Sequence, residues 1–454
     1  MRIMLIQPPK SPVTIGGEDV FLYEPLALEY VAAGVAQDHD VRILDMRLEK
    51  DLSNALEDFQ PQLVGITAYT VHVNVVRKLF DDVKQWNPSV LTVVGGHHAT
   101  VAPIDFLWPS IDLIVMGEGV ESFREIVRRS ENGSGFGGIT GVTFAQNGCL
   151  VHADPQPIAD LDAFPLPERR LTAQYRNDYF SEWMKPLATM RTSKGCPYRC
   201  SFCALWKLAG GRYLKRQPEK VVEELATVEE PFVFFADDES LVDAPRMRRL
   251  AELIKAAGIK KRYFVYGRSD TIARHPDLLA MWRDIGLERV FVGLEFCTDE
   301  DLQFISKGST VSHNEQAVKI LHDLDIELYA SFIVRPEFTH EDFAFFRQYC
   351  RGLGLSFPTF AVLTPLPGTD FYEEVKGRMI THDYDFFDFI HTLLPTHLPL
   401  DEFYEEYYQL STKAASPWKK LSTVPKYHLR DLLALQAKGN RFYSRLRFAY
   451  RDYQ

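Results

Sequence analysis

The sequence predicts an α/β protein made of two parallel-sheet domains in tandem: a doubly wound, Rossmann-like domain, then a partial (β/α)6 barrel of the TIM type. A small, mainly helical C-terminal region follows. Three observations carry this. Short apolar runs alternate with amphipathic segments over residues 1–130, a glycine-rich stretch interrupts them, and a second, longer alternation starts near Leu187. Unbroken Val/Ile/Leu runs mark strands buried on both faces, as in parallel sheets covered by helices.

In the first unit, Ile3–Gln7, Val41–Leu44, Leu63–Thr67, Leu91–Val94 and Ile114–Met116 are the expected strands. Leu26–Ala36, Val75–Trp86 and Ser122–Arg129 have helical spacing. Ligands of such sheets sit beyond the carboxyl ends of the strands. Residues 131–185 are the expected linker. Asn132 to Gly138 breaks the pattern, Gly141–Phe144 and Leu150–His152 suggest a hairpin around Gln146-Asn147-Gly148, and a proline-containing connector runs from Asp154 to Glu168.

Over 186–375 the expected strands are Leu187–Thr192, Phe232–Ala236, Arg262–Tyr266, Arg289–Leu294, Glu327–Ile333 and Thr359–Leu363. Helices fit between them at Pro218–Leu225, Ala244–Ala257, His275–Asp284, His313–Leu324 and His340–Gly352. Six repeats in this length suit an open barrel rather than the eight-unit form, which takes roughly 250 residues. Residues 376–454 are rich in Tyr and Phe. Their last stretch, from Trp418, is basic, with Lys419, Lys420, Lys426, Arg430, Lys438, Arg441, Arg445, Arg447 and Arg451.

At 454 residues the chain exceeds one ordinary core. Its 46% hydrophobic and 25% charged residues are those of a globular protein. A net charge of −11 argues against a nucleic-acid binder. No apolar run reaches the roughly 18–20 residues that span a bilayer. The opening Met1 to Pro9 is too short for a signal-peptide core and lacks a cleavage site, so a cytoplasmic protein is expected. Six cysteines in this length are no secreted disulfide scaffold and fit a reducing compartment.

The strongest signal is Lys194-Gly195-Cys196-Pro197-Tyr198-Arg199-Cys200-Ser201-Phe202-Cys203. Three thiolates in one loop can wrap a cubane cluster and leave one iron open for a chelating substrate. A structural zinc would want four ligands and two-residue gaps. Here the first gap is three residues, and neither His152 nor His275 has ligand-like spacing.

This spacing, with an aromatic residue (Phe202) before the third cysteine, resembles the radical S-adenosylmethionine superfamily. The resemblance extends through residues 187–375. It implies a 4Fe–4S cluster on Cys196, Cys200 and Cys203, and S-adenosylmethionine held by Phe202, Asp237, Asp238, Arg268 and Glu295 at successive strand ends. An acid and a base there complement a zwitterionic amino acid group. Thr364 to Thr369 matches the turn after the sixth strand in many members. Arg335 departs from the pattern, standing where relatives usually have glycine, and either reshapes that wall or reaches a substrate group.

The doubly wound domain ahead of the cluster loop resembles the cobalamin-dependent branch of that superfamily, with a methyltransferase-like character. The matching residues are Thr67, Tyr69, Thr70, Gly95, Gly96, His97, Gly117, Glu118 and Gly119. The resemblance implies that glycines there let backbone approach the corrin and its nucleotide tail. The Asp-x-His-x-x-Gly motif that supplies a histidine to cobalt elsewhere is absent, and Tyr69, Thr70 or His72 is left to face the cofactor. His97 and His98, read as strand neighbours, would point to opposite faces.

The implied reaction is methylation of an unactivated carbon through a 5′-deoxyadenosyl radical and methylcobalamin. The alternatives are a cobalamin-assisted cyclisation or rearrangement, and a non-catalytic electron-transfer or regulatory protein. The implied partners are a small-molecule or lipid substrate and an external donor of flavodoxin or ferredoxin type, with no nucleic acid. Cys203-Ala204-Leu205-Trp206-Lys207-Leu208, the unusual fifth strand and the basic aromatic tail resemble the hopanoid C-3 methylases, which implies a lipid substrate; the tail then either touches a membrane surface peripherally or forms a helical cap that packs its aromatics inward.

Overall fold

The computed structural model describes residues 1–18, 20–146, 149–156, 160–356, 358–416 and 429–453. The turn expected at Asn147 and Gly148, and Trp418, Lys419, Lys420 and Lys426 of the tail, lie outside these.

The first sheet holds β1 (Arg2–Gln7), β2 (Asp40–Asp45), β3 (Leu63–Thr67), β4 (Leu91–Gly95), β5 (Leu113–Val115), β6 (Val142–Gln146) and β7 (Cys149–Val151). The order is β2-β1-β3-β4-β5-β6-β7, parallel through β5 and antiparallel beyond. Alternation splits the apolar residues between two covered faces. Met4, Ile6, Val64, Ile66 and Val94 pack with Leu56, Val76 and Phe80 of the helices Leu52–Phe59 and Val73–Trp86. Ile3, Leu5, Ile43 and Val93 pack on the other side with Leu28 and Phe123, from the helices Leu26–Ala33 and Gly119–Glu131. The hairpin expected within the linker thus extends this sheet: Val142 and Thr143 find their backbone partners on β5.

The second sheet is all parallel: β8 (Leu187–Met190), β9 (Phe232–Phe235), β10 (Arg262–Gly267), β11 (Leu287–Glu295), β12 (Glu327–Val334) and β13 (Thr359–Val362), paired in that order. It curves into a half-barrel whose outer face, with Val233, Val265 and Val290, is sealed by helices carrying Val221, Leu250 and the fully buried Trp282. Deleting such a ring costs about 3–5 kcal/mol.

Between the sheets runs Arg169–Asp178, a 3-10 segment. Arg169 donates to Glu24 (3.1 Å), Glu29 (3.4 Å) and Glu224 (2.8 Å), and Arg176 to Glu230 (2.5 Å) and Glu24. This part of the expected linker is therefore a buried ionic clamp across both units.

The C-terminal region carries the helices Leu400–Lys413 and Leu429–Arg447. Tyr404 and Tyr407 are fully buried, and the Tyr407 hydroxyl donates to the Phe360 carbonyl of β13 at 2.7 Å. Arg445 donates to the carbonyls of Pro12, Val13 and Thr14. No helix among the described residues is long and apolar enough to cross a membrane.

Candidate active site

The loop after β8 brings Cys196, Cys200 and Cys203 to the carboxyl end of the half-barrel. All three are free thiols. Burial pushes Cys196 up to about 11 and Cys203 up to about 12, and Cys200 beside them adds to both. Arg268, stacked 3.5 Å over the Tyr198 ring, reaches the Cys200 sulfur at 3.9 Å. Among the described residues no three His, Cys, Asp or Glu groups converge on a site for one metal ion. Three free thiols in one loop, with the Arg268 guanidinium beside Cys200, suit a multi-iron cluster that keeps thiolates charged.

The acids at the end of β9 differ in occupation. Asp237, fully buried, accepts hydrogen bonds from the Thr192 amide (2.7 Å), the Thr192 hydroxyl (2.6 Å) and the Ser193 amide (2.8 Å). It pins the start of the cluster loop and turns no free oxygen to a ligand. Asp238 is partly exposed; its Oδ2 accepts from Gly195 N–H at 2.7 Å. Burial raises its pKa. Arg268 is paired with Asp270 (2.9 Å) and donates to the Lys307 carbonyl (2.6 Å), while Glu295 is paired with Lys307 (2.5 Å). Phe202 packs against the barrel core. Glu239, the last residue of the acidic motif Phe235 to Glu239, is the member left without a role of its own by the sequence. It is 1% exposed, its Oε1 has no hydrogen-bond partner among the described residues, and burial pushes its pKa to about 8, with Arg268 pulling the other way. Its signal in the sequence is its place directly after the paired acids.

Arg335 is turned aside. It pairs with Asp301 at 2.7 Å and lies 4.5 Å over the Phe304 ring, so it reshapes the wall after β12.

Across the cleft stand the ends of β3, β4 and β5. Tyr69 is half exposed, with His97 edge-on at 4.7 Å and its own N–H donated to His72 Nδ1 at 3.4 Å. Its hydroxyl feels the charge of Asp238 on the barrel side. Gly96, at φ +101°, turns the chain off β4 into the short helix His97–Val101, so His97 and His98 begin a helix instead of continuing a strand. They still diverge. His98 is buried between Thr70 Oγ1 and Asp105, both at 3.1 Å, whereas His97 faces the cleft. Surrounding protein and then the Lys194 ammonium hold His97 down to about 4; burial and then Arg47 do the same for His72.

The glycines divide too. A side-chain carbon on Gly96 would strike Ala68 N at 2.7 Å, and one on Gly117 the Gln156 carbonyl at 2.5 Å, so both give way to the protein's own backbone. At Gly95 the nearest atom is 3.8 Å away. Glu118, just before Gly119, joins the halves by pairing with Lys194 of the cluster loop and, at 3.6 Å, with Arg191. Tyr69 and His97 are exposed at these strand ends and Thr67 and Gly95 partly so, a set that fits one face of a large flat ring resting on strand ends.

The B12 binding domain model matches residues 12–127 and the radical SAM superfamily model residues 190–350. The hopanoid C-3 methylase of Methylococcus capsulatus is 31% identical over 416 residues, covering 89% of this chain and 78% of that protein. The anaerobic magnesium-protoporphyrin IX monomethyl ester cyclase of Rubrivivax gelatinosus is 27% identical, covering 86% and 73%. Among solved structures, the cobalamin-dependent S-adenosylmethionine radical enzyme OxsB has the same fold, with a TM-score of 0.74 at 15% identity over 98% of this chain and 72% of that one. So does the radical S-adenosylmethionine methyltransferase TsrM from Kitasatospora setae, at 0.65 and 20% identity over 84% and 76%. With both domain models in one order and this identity to the methylase, the chain belongs to the cobalamin-dependent radical S-adenosylmethionine enzymes.

Proposed function

We propose that this enzyme transfers a methyl group to an unactivated carbon of a small-molecule or lipid substrate. When bound, the iron–sulfur cluster, S-adenosylmethionine and cobalamin supply the one-electron chemistry and the transferable methyl group. The observation that carries the reading is the opposition of two strand-end faces over one cleft, tied by the pairing of Glu118 with Lys194 and Arg191.

In this reading Cys196, Cys200 and Cys203 hold the cluster, and Arg268 offsets charge at Cys200. Asp238, bonded through one oxygen to the loop amide of Gly195, offers the other to the methionine amine. Asp237 acts through the loop it pins. Tyr69 and the uncharged His97 border the corrin without adding charge to it. The electron comes from a flavodoxin- or ferredoxin-type donor. For a lipid substrate the membrane-facing element is the exposed Phe448, flanked by Arg447 and Arg451.

The test is anaerobic reconstitution with hydroxocobalamin, then turnover with methyl-deuterated S-adenosylmethionine. Retained cobalt and a labelled product are expected; an unlabelled product that has lost hydrogen would replace methylation by cyclisation. The cyclase relative, 27% identical over most of its length, keeps that second reading in play.

A further inference from the structure

The turn after β5 grips the start of the cluster loop in a way that cofactor binding alone does not require. The turn itself is fixed from the protein side. Gly117 N–H donates to Thr100 Oγ1 at 3.0 Å, and Gln156 N–H donates to the Met116 carbonyl at 3.1 Å. Glu118 follows, directly before the helix Gly119–Glu131, and its carboxylate makes no capping hydrogen bond to that helix. It crosses to the barrel instead, where it pairs with Lys194 and stands 3.6 Å from Arg191. The Glu118 side chain is 8% exposed and that of Lys194 23%, so the pair is largely shielded but keeps one edge in water. Shielding strengthens an ion pair, and water at its edge weakens it.

Arg191 and Lys194 bound a short run of chain whose other groups are held from the opposite side. Asp237 accepts the amides of Thr192 and Ser193, and Asp238 accepts that of Gly195. The Arg191 guanidinium lies 4.7 Å over the ring of Tyr30, from the helix Leu26–Ala33 of the first domain, and 5.6 Å over Phe164. The chain leading into Cys196 is therefore gripped by barrel acids on one side and by the first domain on the other. Gly195, packed against the Arg212 carbonyl, leaves this run little slack. Asp238 bonds Gly195 through one oxygen and, in the reading above, offers the other to the methionine amine. A shift of Lys194 thus moves the S-adenosylmethionine site together with the cluster ligands.

We propose that Glu118 is a positioning residue that sets the cluster loop against the strand ends of the first domain, and that its pair with Lys194, shielded further when cobalamin rests on those ends, tightens the binding of S-adenosylmethionine. This rests on the reading that one cleft holds both cofactors, and not on which reaction they serve.

Full-length protein, its cluster reconstituted and kept oxidised, is dialysed to equilibrium against S-adenosylmethionine with and without bound hydroxocobalamin. In the unsubstituted protein cobalamin should tighten binding by about fivefold or more. Glu118→Gln and Lys194→Met should each bring the loaded protein close to its cobalamin-free affinity, with iron, sulfide and cobalt unchanged. The double variant should fall no further than either single one. Lys194→Arg, which keeps the charge, should retain most of the effect. An affinity lost equally with and without cobalamin would mark a merely structural pair and overturn the proposal. So would an unsubstituted protein indifferent to cobalamin, or a cobalamin effect that survives in the folded variants. If Glu118→Gln no longer holds cobalt, Lys194→Met carries the comparison; loss of cobalt from both overturns the proposal, since the pair would then serve the cofactor and not the loop. Cobalt content of the unsubstituted protein tests the two-cofactor reading separately, and no turnover is involved, so a failure of methyl transfer is distinguished from both.

Discussion

Asp237 and Asp238 adjoin in sequence, yet the fold assigns them opposite tasks. Asp237 spends its carboxylate on Thr192 and Ser193, at the root of the cluster loop. Asp237→Ala should therefore lower iron and sulfide content in the purified protein. Asp238→Ala should keep the iron and weaken S-adenosylmethionine binding, read by equilibrium dialysis. Equal iron loss in both would remove the distinction. Gly195 is as constrained. At φ +87°, a side-chain carbon there would lie 2.0 Å from the Arg212 carbonyl. Gly195→Ala should displace the loop and cut iron content as deeply as Cys200→Ala does. That acids stood at this strand end was legible in the sequence. Their occupation was not, because the bonding groups of Thr192 and Ser193 come from a distant part of the chain.

At the scale of elements, the strands expected from apolar runs agree with those observed to within one or two residues, since double burial writes itself into composition. The helix Leu52–Phe59 escaped that reading because it is short and buries only Leu52, Ala55 and Leu56. The last helical turn, Ala449–Tyr453, should depend on pH in a way the sequence does not suggest. His391, fully buried, holds Asp388 at 2.9 Å and Asp452 at 3.1 Å. Burial pulls its pKa down, but Asp388 and then Asp452 outweigh this, and the folded value lies above 6.5. A raised folded pKa means stability that is complete below about pH 6.5 and lost as pH rises through the folded value. Corrected for intrinsic rates, amides of this turn should exchange faster at about pH 9 than at about pH 6. Asp452→Asn should flatten the difference.

At the scale of the molecule, the clamp of Arg169 and Arg176 sets how the two sheets share a cleft. Arg169→Met would leave the carboxylates of Glu24, Glu29 and Glu224, whose side chains are each at most 1% exposed, without that partner. The expected loss is about 3–5 kcal/mol in urea denaturation. A change below about 1 kcal/mol would show the clamp to be dispensable. The order of the domains, the half-barrel and the cluster loop were determined by the sequence alone, because cysteine spacing and strand periodicity are local properties of the chain. Only the tertiary structure decided that Gly117 packs on Gln156 instead of opening to the cleft, that Arg335 folds back on Asp301, and that the rings of Tyr23, Phe234 and Tyr266 meet in one band. Each depends on residues far apart in sequence, and the free energy of burying or matching a polar group is set by neighbours that only the folded chain brings near.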